Sequence, residues 1–359
     1  MLYFAQILLP GGKTMIQVEH INKTFQVARR NAGFLEAFKS LFNKQYEYVK
    51  ALDDLSFTIE DGEMVGYIGP NGAGKSSTIK ILSGILTPDS GTCMINGRTP
   101  WKNRVAHVQD IGVVFGQRSQ LWWDVPVIDS FELLRDIYKI PISKYKDKLD
   151  ELITLLNLEK IIKTPTRQLS LGQRMRCEIA ASLLHDPKIL FLDEPTIGLD
   201  AVSKIAVRNF ILDMNNRHKT TVILTTHDMQ DIEALTKRII LIGKGRILLD
   251  GSLQDMKKRF ADHKKLVLEY EGTDLELCNG MTLVPDDTSS VYKKEIDGVY
   301  GKEIGDSGKK HSIIDIDTDR IQVSEAIGKL SAQVDIKDIS ISEASIDEVV
   351  VKLYKEYEI

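Results

Sequence analysis

An α/β fold on a mainly parallel sheet is predicted for the first two-thirds of this sequence, with a small α+β domain after it. Three observations predict it. Short apolar runs recur along residues 15–258, separated by helical stretches, and each of four such runs leads into a residue suited to chemistry. Continuous apolar runs of this length read as strands buried on both faces. The charge changes sign along the chain: residues 1–259 carry 29 acidic and 35 basic side chains, net +6, while residues 260–359 carry 22 and 12, net −10. The 359 residues are 43% hydrophobic and 27% charged, ordinary globular usage for two or three domains that excludes a disordered or fibrous chain.

The elements follow in order. Met64–Ile68 runs into Gly69, Ile111–Phe115 into Gly116 and Gln117, Ile189–Leu192 into Asp193, and Val222–Leu224 ends shortly before His227; Arg238–Ile242 makes a fifth strand. In open α/β sheets ligands sit beyond the carboxyl ends of the strands, so these residues converge on one edge. Between Ser130 and Lys163 the period becomes helical (Phe131, Leu134, Ile137, then Leu149, Leu152, Ile153, Leu156), with Pro141 and Pro165 as breaks. This predicts a helical insert over about residues 118–180. In the tail, VYKKEI-Asp297-Gly298-VYGKEI predicts a hairpin with a type I′ turn. His311–Ile316 and Ile336–Ile341 read as strands and Arg320–Ser331 as a helix. Ser345 and Glu348 form a capping box opening a last helix, so residues 264–359 are expected to be a separate accessory domain.

Composition bounds the function as well. Cys93, Cys177 and Cys278 are isolated, which argues against a disulfide scaffold or a cysteine zinc site and fits a reducing compartment. No run approaches the roughly 18 apolar residues of a membrane span, so a membrane role would come through a partner. Residues 2–9 are apolar but lack the flanks of a signal peptide. We read Met15 as the physiological start and residues 1–14 as a non-native extension.

Gly69-Pro70-Asn71-Gly72-Ala73-Gly74-Lys75-Ser76 matches G-x-x-x-x-G-K-[ST] between a strand and the helical Ser77–Leu82. Its glycines let backbone N–H groups turn inward to cradle phosphates at a helix N-terminus. Lys75 would then reach the β- and γ-phosphates of a nucleotide, and the Ser76 hydroxyl would ligate Mg²⁺. An ionised Asp193–Glu194 pair ending a buried strand is costly without a cation. Asp193 therefore suits Mg²⁺, and Glu194 suits the polarisation of an attacking water. His227 is placed for a γ-phosphate contact, and Gln117 for Mg²⁺ and the attacking water.

Leu169-Ser170-Leu171-Gly172-Gln173-Arg174 resembles the LSGGQ signature of the ATP-binding subunits of ABC transporters, and Ser170 stands 23 residues before Asp193, as in that family. Gly198-Leu199-Asp200 resembles the D-loop, His227 the switch histidine and Gln117 the Q-loop. The likeness covers about residues 15–255. It implies a P-loop NTPase fold with a mainly parallel sheet, an antiparallel β subdomain and a helical insert. It also implies two copies packed head to tail, with ATP between the P-loop (Gly69 to Ser77) of one and Ser170, Gly172 and Gln173 of the other, near Asp200. Leu171 departs from the family's glycine. Phe25 matches the aromatic that stacks on adenine, although about 20 extra residues precede Ala51-Leu52 and leave Tyr46 and Tyr48 as alternatives.

Within those extra residues Phe34, Leu35, Phe38, Leu41 and Phe42 share one helical face, suited to a membrane surface, a permease loop or the domain itself. By the same resemblance Trp122-Trp123-Asp124 falls where the family meets its permease, with a core role for one tryptophan as the equal alternative. The expectation is an ATP hydrolase at the cytoplasmic face of the cell membrane. It would work with a second ATPase subunit and integral-membrane permease subunits, in export of the ABC-2 type or, as the nearer rival, import. A soluble ATPase of DNA repair or translation fits less well. The single P-loop and the 94 residues between Lys75 and Ser170, free of heptads and cysteine pairs, give no sign of a nucleic-acid partner.

Overall fold

The computed structural model describes residues 13–28, 46–116, 118–258, 263–284, 310–343 and 346–357. The chain divides into two compact units between Leu253 and Gln254. In the first, β1 (Thr14–Ala28), β2 (Tyr46–Glu60) and β4 (Ser90–Ile95) form an antiparallel sheet in the order β2-β1-β4. The second sheet takes β3 (Met64–Ile68), β5 (Ile111–Phe115), β6 (Ile189–Asp193), β7 (Thr221–Thr225), β8 (Arg238–Gly243) and β9 (Arg246–Ser252) in the order β5-β6-β7-β3-β8-β9. All its neighbours are parallel except β8 and β9. This is the mixed α/β architecture expected.

The apolar runs are strands because both faces are covered. Ile189, Leu190, Phe191 and Leu192 are fully buried, and so is the whole of β7. β2 instead alternates, burying Leu52, Leu55, Phe57 and Ile59 against Ile16 and Ile21 of β1 and Ile79 and Leu82 of α1 (Lys75–Leu82). β1 starts at Thr14, and the Lys13 carbonyl accepts from the Asp61 amide at 2.9 Å. The extra residues with the Phe34–Phe42 stripe, and residues 1–12, lie outside the described residues.

The insert supplies α3 (Val127–Tyr138), α4 (Ile142–Leu156) and α5 (Leu171–Leu183), which come after the short α2 (Arg104–Val108) of the sheet region. Pro126 and Pro141 start α3 and α4, where a missing N–H costs nothing, and left-handed Lys139 and Asn157 end them. α6 (Ala201–His218) and α7 (Met229–Leu235) flank β7 in sequence, and α8 (Leu253–Lys258) spans the division between units.

The second unit orders β10 (His263–Glu271), β11 (Met281–Leu283), β12 (Lys310–Asp317) and β13 (Asp335–Glu343) antiparallel as β11-β12-β10-β13. Leu266, Leu268, Ile314 and Ile316 pack with Ala326 and Leu330 of α9 (Val323–Ser331). α10 (Ile346–Glu356) closes the unit. The helix expected from Arg320 starts three residues later, because the Asp317 carbonyl accepts from the Arg320 and Ile321 amides and closes a turn first. The predicted hairpin around Asp297-Gly298 and the cap residue Ser345 lie outside the described residues.

Candidate active site

The loop leaving β3 carries the phosphate motif. Gly74 sits at φ 110 as the N-cap of α1, and a Cβ there would lie 2.6 Å from the Ala51 carbonyl oxygen, so only glycine fits. Gly72, at φ 82, faces open space instead. No side chain caps α1, so its first-turn amides stay available to an anion. Lys75 is buried and donates to the Gly69 and Pro70 carbonyls at 2.6 and 3.1 Å. Burial pulls its pKa below the ordinary lysine value, with the charges of Glu194 and Asp193 opposing that shift. The ammonium thus holds the loop closed around Ala73, whose amide donates to the Pro70 carbonyl, while Asn71 and Ser76 are exposed and Ser77 half-buried.

Strand register brings the acids to the same edge. Asp193 pairs across from Thr225, whose hydroxyl donates to Asp193 Oδ1 at 2.6 Å; Ser76 Oγ is 3.5 Å from Oδ2. A hydroxyl and a carboxylate are hard oxygen donors that fit Mg²⁺. Among the described residues no cluster of three or more His, Cys, Asp or Glu is placed to hold a metal alone, so phosphate oxygens and water would complete the shell. Glu194 takes φ 54, and its N–H donates to the Thr225 carbonyl at 2.9 Å, turning the side chain out of the strand. His227 Nδ1 lies 3.4 Å from Glu194 Oε1. Glu194, Thr196, Gly198, Lys204, Thr226, His227 and Asp228 line one cleft.

A second cluster forms around Ser170. Its hydroxyl accepts from the Gln173 amide at 3.3 Å, while Gln173 Oε1 accepts from the Ser170 amide at 2.9 Å, a reciprocal cap on α5. The Gln173 side chain is therefore engaged at the helix tip. Gly172 packs so closely on α6 that a Cβ would lie 2.4 Å from Ser203 Oγ, and Leu171 Cδ2 lies against Gly198. Asp200 caps α6 through the Ser203 amide and hydroxyl at 2.9 and 2.8 Å.

The remaining expectations fall at several places. Phe25 is half-buried in β1 opposite Val49, with the Lys23 ammonium 5.8 Å from its ring centre, while Tyr46 and Tyr48 are exposed on β2. Trp122 and Trp123 are exposed, and the Arg174 guanidinium sits 5.8 Å from the Trp123 ring centre. Gln117 lies outside the described residues. Sequence reading missed the hydroxyls of Thr225, Thr196 and Thr226 and the acid Asp231; their only signal was position, beside Asp193, Glu194 and His227. It also missed Glu178, buried in α5, which accepts from the Ser119 hydroxyl and, at 3.1 Å, the Gln120 amide.

Fold and site together define a P-loop ATP hydrolase of the ABC type. A family model described as "ABC transporter" matches residues 52–197. The chain is 32% identical to the methionine import ATP-binding protein MetN of Geobacillus kaustophilus, over 72% of this chain and 73% of that one. It is also 32% identical to the daunorubicin resistance ATP-binding protein DrrA3 of Streptomyces coeruleorubidus, over 67% and 75%. ABC transporter A family member 8 of Dictyostelium discoideum is 29% identical over 71% of this chain, which spans 32% of that protein's length. Among solved structures, the ATP-binding cassette MJ0796, in a dimeric post-hydrolysis state bound to ADP and Pi, superposes with a TM-score of 0.55 at 25% identity, over 67% of this chain and 99% of that one. The chain belongs to the ABC transporter family.

Proposed function

We propose that this chain binds and hydrolyses ATP with Mg²⁺ to power a membrane transporter, as one of two ATPase subunits that close on ATP against integral-membrane permease subunits. The observation that carries this reading is the meeting of Lys75, Ser76, Asp193, Glu194 and His227 at the carboxyl ends of three adjacent strands. The loop amides and Lys75 bind the β- and γ-phosphates, and the ammonium exchanges its two carbonyl partners for phosphate oxygens. Ser76 and Asp193 hold Mg²⁺, which when bound neutralises charge on the transferring phosphoryl group. Glu194 accepts a proton from the attacking water, and His227, within reach of its carboxylate, orients both it and the γ-phosphate. Ser170 and the amides at the tip of α5 contact the γ-phosphate held by the other copy.

Hydrolysis breaks the bond between the γ-phosphate and ADP, and departure of the inorganic phosphate takes away the charge that both copies grip, so opening and closing become a differential-affinity switch for the permease. Among the described residues no helix is long and apolar enough to cross a membrane; we place the chain at the cytoplasmic face through its permease. The exposed Trp122-Trp123 pair on the insert is the surface we assign to the permease. We infer export, supported by likeness to a resistance ATPase, with import the alternative supported by likeness to MetN.

The test is Glu194→Gln. ATP affinity should stay within about twofold while turnover falls about 10²–10⁴-fold and an ATP-bound dimer accumulates on size exclusion. Wild-type phosphate release by that variant would falsify the assignment of Glu194 as base.

A further inference from the structure

Beneath the Glu194–His227 pair lies a carboxylate that contacts neither of them. Asp231, on α7, is completely buried. Its Oδ2 accepts from two hydroxyls, that of Thr196 and, at 3.2 Å, that of Thr226. Its Oδ1 accepts from Arg208 Nε on α6 at 2.5 Å. Thr196 stands two residues after Glu194, and Thr226 directly precedes His227. Both threonines are themselves buried. One oxygen atom therefore accepts from both the loop leaving β6 and the loop leaving β7, beside the Glu194 amide's bond to the Thr225 carbonyl.

We propose that Asp231, held by Arg208, is a positioning residue that fixes the 3.4 Å approach of His227 to Glu194 through the hydroxyls of Thr196 and Thr226. The proposal rests on the reading of Glu194 as base. Arg208 lies two helical turns beyond Asp200, the cap of the same helix α6. A displacement of that helix by a second copy would therefore reach the catalytic pair through the guanidinium. Stability alone does not account for the arrangement. A buried ion pair is at best roughly neutral against an apolar pair of similar volume, whereas a misplacement of about 1 Å at a reacting group costs about 10²-fold in rate.

The experiment measures kcat, KM for ATP and the melting midpoint for Thr196→Val, Asp231→Asn and the double variant Arg208→Met/Asp231→Leu, with Glu194→Gln alongside. Thr196→Val removes one donor to a buried carboxylate with little change of shape, so its midpoint should fall by a few degrees; measured where the variant is fully folded, its kcat should fall about tenfold with KM within twofold. Folded Asp231→Asn should lose about 10²-fold in kcat at similar KM. The double variant removes the ion pair but leaves the two buried threonine hydroxyls without that acceptor, so its midpoint should fall modestly while kcat, measured where it is folded, falls as in Asp231→Asn. If Asp231→Asn does not fold, Thr196→Val and the double variant carry the test. Wild-type kcat in Thr196→Val, or losses of kcat that only track the folded fraction, would overturn the proposal while an arrested Glu194→Gln leaves the base assignment standing. A fully active Glu194→Gln would overturn both.

Discussion

A methyl group at residue 172 has nowhere to go: it would sit 2.4 Å from Ser203 Oγ and 2.9 Å from Ser203 Cβ. Gly172→Ala should therefore push the tip of α5 off α6 and raise the ATP concentration needed to dimerise the Glu194→Gln protein by about tenfold, with nucleotide affinity of the single subunit unchanged. Adding Ser203→Gly should restore much of it, since the obstructing side chain is gone; size exclusion against ATP concentration reads both. Lys75→Ala acts on the other cluster and should weaken ATP binding itself by about 10²-fold, measured by nucleotide titration. These residues were legible in the sequence because each motif is contiguous, so spacing alone carries the chemistry. Asp231 was not, because its partners stand 35, 23 and 5 residues away and only strand register unites them. The role of Gly172 was half legible: the motif marked it as an amide facing phosphate, while its packing on Ser203 needed the fold.

Among the elements, α5 does more than present Ser170 at its tip. Five residues beyond Gln173 it buries Glu178, which ties down Ser119 and Gln120, just after the segment holding Gln117. Burial raises the Glu178 pKa above 4.5, and the bonds from Ser119 and Gln120 oppose that rise only in part. The folded chain thus holds this proton more tightly than the unfolded one. Stability from this group is full below 4.5 and is lost as pH rises through the folded pKa. Glu178→Gln keeps an acceptor for the Gln120 amide and offers a donor to Ser119. Its melting midpoint should therefore match wild type near pH 4.5 and exceed it by about 2–4 °C at pH 8, with the gap opening as pH rises. Thermal scans across that range check it, and a constant gap would mean the Glu178 titration is not coupled to folding. Strands such as Ile189–Asp193 were legible because burial on both faces leaves an unbroken apolar run. The β1–β2 pairing was not, since its register shifts repeatedly between Val18 and Thr24 and each shift breaks the alternation that a reader would follow.

At the scale of the whole molecule the two clusters give the proposed pairing of copies a direct test, because Ser170 serves either the ATP held by its own P-loop or that held by another copy. Lys75 belongs to the cluster with Asp193 and Glu194, and Ser170 is joined through α5 to Gly198, Asp200 and Ser203. If two copies meet head to tail, each complete site takes Lys75 from one and Ser170 from the other. Lys75→Ala and Ser170→Ala should then each abolish hydrolysis alone, yet recover it when mixed. In the mixed dimer one site carries both lesions and the other carries none. Equal mixing makes about half the dimers mixed, so about a quarter of wild-type sites should be intact, and phosphate release should return toward that fraction. Were both residues to act within one chain, every site would carry a lesion whatever the mixing ratio, and activity would stay at background. Varying the ratio sharpens the result, because intact sites peak at equal amounts only if the two lesions complement between copies.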